Sequence, residues 1–86
     1  MTTTYLHGND LGFDTLKAAE KLILANDDAV NWVHIGKFSD QDDTPTLHID
    51  LWRGYDLCDL PELVGLEVVL EGHWECGRSY SLQLAK

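Results

Sequence analysis

His73 and Cys76 stand three residues apart in "EVVLEGHWEC" (residues 67–76), with Glu67, Glu71 and Glu75 around them. Thiolate and imidazole are both zinc ligands, so the stretch first reads as half a metal site. The spacing argues otherwise. Apolar and polar residues alternate here as they do in a strand, where residues three apart point to opposite faces. His73 belongs to the polar face and Cys76 to the following turn, unlike a C-x-x-C knuckle or an H-E-x-x-H helix. A second set is more coherent. His34 and His48 are expected as cross-strand neighbours, with Asp50 two residues on along the same face. If the two hairpins are adjacent, His73 and Glu71 join them. Zinc accepts such ligands, which makes a His/Asp metal-binding domain one alternative reading. Without metal, three histidines on one wet face make a surface sensitive to pH at about pH 6.

Catalytic chemistry has less support. The chain has no G-x-S-x-G, P-loop or G-x-G-x-x-G pattern. Cys58 lies close to Asp56 and Asp59, but acids beside a thiol disfavour the reactive thiolate. Asp42 and Asp43 are expected in a turn, and so small a fold has little room for a substrate cleft. The expectation is a non-enzyme without a cofactor. Cys58 and Cys76 allow one internal disulfide at most, and without export they read as reduced thiols.

The acids themselves are the stronger signal. Fifteen Asp and Glu stand against six Lys and Arg, a formal net charge of -9 over 86 residues. Such a chain repels phosphate backbones, which argues against direct binding to nucleic acid or an anionic membrane. It suits basic partners, commonly proteins that themselves bind nucleic acid. Two tracts are expected to carry this charge. Glu67, Glu71 and Glu75 recur every four residues on one sheet face, roughly 13 Å apart in extended chain. Asp40, Asp42 and Asp43, then Asp56, Asp59 and Glu62, are expected in loops. Arg53 is the only Lys or Arg between Phe38 and Gly77. Trp52 and Tyr55 lie among these acids, and such rings are favoured anchors at protein interfaces.

The elements that position these groups follow from patterning. "TTTYLH" is β-prone and reads as a short first strand. From Asp14, a plausible N-cap, strong helix formers place Leu16, Ala19, Leu22 and Ile23 on one face, with Phe13 packing outside the cap and "NDD" ending the helix. "VNWVHIGKF" and "TLHIDLW" flank the turn "SDQDDTP" as a hairpin, in a phase that pairs Ile35 with Leu47 and His34 with His48. "RGYDLCDLPELVG" reads as an irregular crossover with a helical turn around Pro61. In the final hairpin, Leu66, Val68, Leu70 and Trp74 are expected in the core, opposite Tyr80, Leu82 and Leu84. A three-residue loop, Cys76-Gly77-Arg78, would pair Trp74 with Tyr80. Gly36 and Gly72 inside strands suggest bulges or close backbone approach.

Residues 1–86 therefore read as one α+β domain, a four- or five-stranded, mainly antiparallel sheet with one α-helix packed on one face. With no membrane-length apolar run and no secretory signal, a cytoplasmic protein is expected. In size, acidity, single-helix build and lack of a catalytic motif, the chain resembles small inhibitor proteins of phage–host and toxin–immunity conflicts. These include anti-CRISPR proteins, nuclease immunity proteins and other nucleic-acid mimics. The resemblance implies an acidic interaction module that inhibits a nucleic-acid-binding protein or complex. The expected contact set is Asp40, Asp42, Asp43, Trp52, Tyr55, Asp56, Asp59, Glu67, Glu71 and Glu75. A non-catalytic accessory or structural subunit is the alternative. In that reading "SYSLQLA" lies at a sheet edge and pairs with a copy of itself as a homodimer.

Overall fold

The computed structural model describes residues 10–25 and 28–85, with side chains in the helix described from Asp14 onward. One helix, α1 (Asp10–Leu24), precedes four strands: β1 (Val30–Ser39), β2 (Asp42–Trp52), β3 (Leu66–Trp74) and β4 (Gly77–Leu84). The fold is α+β, and the strands form one antiparallel sheet in the order β1-β2-β4-β3. The expected "TTTYLH" strand and the packing of Phe13 lie outside the described residues. The helix begins four residues before Asp14 and ends at Leu24, ahead of "NDD".

The helix forms from its run of strong helix formers and is held by its apolar stripe. Leu16, Ala19 and Ile23 are buried against Leu47, Ile49 and Leu51 of β2 and Tyr80 and Leu82 of β4. Leu22, expected on that stripe, is instead about half exposed. The helix packs mainly over β1 and reaches β2 and β4. Over the β3 side, the crossover supplies Leu57, Leu60 and Leu63. Its helical turn is a 3-10 turn at Leu57–Asp59, earlier than Pro61, because Asp56 and Asp59 cap it reciprocally. No helix of the described residues lies on the opposite face of the sheet.

The first hairpin keeps the expected phase, with Ile35 opposite Leu47 and His34 opposite His48. Its turn is shorter than expected, only Asp40 and Gln41, so Asp42 and Asp43 begin β2 instead of standing in a loop. The second hairpin departs from expectation. Its turn is Glu75-Cys76, which sets Trp74 opposite Gly77 and Glu71 opposite Tyr80. At the other end Leu66 pairs with Leu84 and Val68 with Leu82. The two registers differ by one residue, and a bulge at Val69 absorbs the difference. Beyond it every side chain of β3 changes face. Leu70 is therefore 56% exposed on the open face instead of buried.

Gly77 makes this closure feasible. Its φ is +158°, and a Cβ there would overlap the carbonyl oxygen of Leu51. No non-glycine described residue has positive φ, so the unusual backbone of the turn falls on the one residue without a side chain to clash.

Candidate functional site

The open face of the sheet is built by strand alternation. Register places Trp32 opposite Asp50, His34 opposite His48, His48 opposite Ser81 and Asp50 opposite Ser79. Trp52 and Trp74 flank Gly77 at one end of this face, and Leu70 lies opposite Ser81. Trp32 and Trp52 are 48% and 42% exposed. The Trp32 and His34 rings stack at 5.3 Å between centroids, and His34 stacks on His48 at 6.3 Å. Gly36 keeps room for this row, since a Cβ there would stand 2.6 Å from the His34 Nε2 atom.

Hydrogen bonds fix the His48 ring. Its Nε2 lies 2.8 Å from the Lys37 carbonyl oxygen, which can only accept, so Nε2 carries a proton. Its Nδ1 lies 3.0 Å from the Ser81 hydroxyl, which donates to it in the neutral ring. Trp32, His34, Lys37, His48, Asp50, Ser79 and Ser81 line a groove of about 440 Å3 along this row. Burial raises the Asp50 carboxyl above its ordinary range, and the His48 ring partly offsets that by favouring the carboxylate. Among the described residues Asp50 has no Lys or Arg in ion-pair contact.

The expected metal set does not assemble. His34, His48 and Asp50 share the open face, but the bulge turns Glu71 and His73 to the helix side, opposite Tyr80 and Arg78. No group of three or more His, Cys, Asp or Glu among the described residues could hold an ion. Cys58 and Cys76 are free and exposed.

The expected contact residues divide. Glu67, Glu71 and Glu75 do not share a face: Glu67 is on the open side, Glu71 on the helix side and Glu75 in the turn. Asp56 is a structural carboxylate. It accepts from Leu57 N at 2.7 Å and from the Tyr80 hydroxyl, and it pairs with Arg78. The Tyr80 hydroxyl, the Leu57 amide and the Arg78 charge hold Asp56 below the usual carboxylate range. Burial and the neighbouring carboxylate raise Tyr80. Asp59 accepts from Asp56 N at 2.9 Å, and Asp42 accepts from Thr44 N at 2.9 Å and its hydroxyl at 2.6 Å, which lowers the Asp42 carboxyl. Asp40, Asp43, Glu67 and Glu75 are exposed, and none belongs to an ion pair among the described residues. Trp52 and Tyr55 are exposed as interface anchors require.

The strand order also corrects the edge. Strand β4, which contains "SYSLQL", lies between β2 and β3, so it cannot pair with a second copy; the edges are β1 and β3. No helix among the described residues is long and apolar enough to cross a membrane. Trp32, Asp50, Ser79 and Ser81 were not singled out together from sequence. The in-phase first hairpin signals the Trp32 and Asp50 pairing, but nothing local signals that β4 lies beside β2. Comparison of the chain with protein-family models, with curated proteins and with solved structures finds no match.

Proposed function

We propose that this chain is a small acidic interaction module that docks on the basic surface of a nucleic-acid-binding protein or complex and so inhibits it. The observation that carries the reading is a sheet face that no helix of the described residues covers, with exposed Trp32 and Trp52, in a chain of net charge -9. Negative charge steers a basic partner and speeds its arrival, while buried rings lengthen its stay. Asp40, Asp43, Glu67 and Glu75 supply the steering field. Asp42, Asp56 and Asp59 are engaged within the fold, so the working acids are a subset of the acidic residues. Inhibitors of the nucleic-acid-mimic, anti-CRISPR or immunity-protein type act by this combination of charge and shape.

Capture of partners from the native host, followed by competition with duplex DNA or RNA, tests the reading. A nucleic-acid-handling protein should be recovered, should be displaced by nucleic acid, and should dissociate steeply between about 50 and 200 mM salt. Recovery of no such protein, or a complex indifferent to salt, overturns it.

A further inference from the structure

We propose that the groove between Trp32, His34 and Asp50 is a receptor for one arginine side chain of the docking partner. The inference rests on the interaction reading above and deepens it to a residue. Trp32 and Asp50 are cross-strand partners, so an aromatic plane and a carboxylate stand side by side at one end of the groove. The His34 ring stacks on one face of the Trp32 indole, at 5.3 Å between centroids and 27° between planes, and Trp32 is 48% exposed, so the other face of the indole is the one offered to a guest. A planar guanidinium stacks on such a face and presents its edge to a carboxylate through two parallel N–H donors. An ammonium lacks both the plane and the fork, so lysine fits less well.

The rest of the groove agrees with a cationic guest. Asp50 has no cationic side chain in contact among the described residues, and the Ser79 and Ser81 hydroxyls add acceptors beside it. Both ring nitrogens of His48 already have partners within the fold, the Ser81 hydroxyl and the Lys37 carbonyl oxygen. Lys37 is the one Lys or Arg of the lining, five positions along β1 from Trp32. At roughly 3.3 Å per residue its backbone lies about 16 Å from that of Trp32, and it forms no ion pair with Asp50. Partial burial of Asp50 also strengthens a charge-assisted pair relative to one in open water.

The test uses the whole chain, labelled with 15N, titrated with Gly-Arg-Gly, Gly-Lys-Gly and Gly-citrulline-Gly while amide and indole resonances are followed. Citrulline keeps the shape of arginine and removes its charge. The arginine peptide should shift the Trp32 indole and the Asp50 region saturably. Lysine should bind about three-fold or more weakly, and citrulline about ten-fold or more. Asp50→Asn and Trp32→Ala should each weaken the arginine peptide by about ten-fold with unchanged spectra elsewhere. Equal binding of citrulline, shifts confined to other surfaces, or arginine binding untouched in Asp50→Asn overturns the proposal. The captured partner separates the two readings. If it binds Asp50→Asn as well as the parent chain, with full salt dependence, the arginine receptor falls and the interaction module stands. If no basic partner is captured, the module reading fails whatever the peptides do.

Discussion

The two hairpins of the sheet begin from similar letters, apolar and polar residues in alternation, and reach opposite outcomes. Between Trp32 and Gly36 the first keeps one phase, and its irregularities lie near the strand ends. The second has its shift in the middle of β3. In β1–β2 the two-residue turn also differs by one residue from the register of the core residues Ile35, Leu47 and Ile49, but the shift falls between Lys37 and Ser39, beside the turn and beyond the core. In β3–β4 the same mismatch is taken up inside the strand: the turn at Glu75-Cys76 fixes one register, and Leu66, packed against the core, fixes another, one residue away. Alternation defines a face only as far as the nearest register shift, so its position along the strand decides how many side chains change face.

That contrast can be broken at its weakest point first. Gly77→Ala should have the largest effect, loss of cooperative thermal unfolding, because its Cβ would strike the Leu51 backbone, which has little freedom to yield. Gly36→Ala meets only the His34 ring, which can rotate away, so a cooperative melt should survive.

Next in size is Ile49→Ala in the in-phase hairpin, with a cost of about 2–5 kcal/mol by chemical denaturation. Leu70→Ala, its counterpart in the bulged strand, should stay within about 0.5 kcal/mol, since Leu70 is on the open face. Equal losses would mean that the bulge is absent in solution. Deleting Val69 sharpens the point. Both flanking registers survive the deletion, so the chain should still fold, with a change on the order of 1 kcal/mol. Deleting Val33 from β1 would invert half of that strand and should be far more damaging.

The smallest effect concerns the crossover. Asp56 titrates below its ordinary range in the folded chain, so its contribution to stability is present above about pH 4 and is lost as pH falls through the lowered value. Asp56→Asn should lower the melting temperature at pH 7, and the gap from the parent should close below about pH 4. A constant gap across that range would assign the loss to packing instead of charge.

The parts of the fold that were legible in the sequence are those in which local and global demands coincide. The helical stripe of Leu16, Ala19 and Ile23 and the pairing of His34 with His48 follow from periodicity alone. Leu22 broke the pattern because the helix footprint is narrower than its apolar face. The bulge was illegible because it arises from two registers meeting, which no window of β3 contains. It also scattered Glu67, Glu71 and Glu75, whose regular spacing had suggested a common face. Asp56 resembled a free acid because its partners Arg78 and Tyr80 are 22 and 24 positions away. The groove needed β4 beside β2, a matter of strand order that the sequence leaves open.

The helix footprint has a further consequence for motion. Strands β2 and β4 have hydrogen-bonded neighbours on both sides and form much of the core, whereas β3 is an edge strand outside the main helix contact. Its amides should exchange with solvent deuterium through local opening, well before those of β2. Such opening would release the turn at Glu75-Cys76 while the Trp32–Asp50 pair stayed intact, because that pair belongs to β1 and β2. The recognition end of the groove is thus placed on the slow-exchanging half of the sheet.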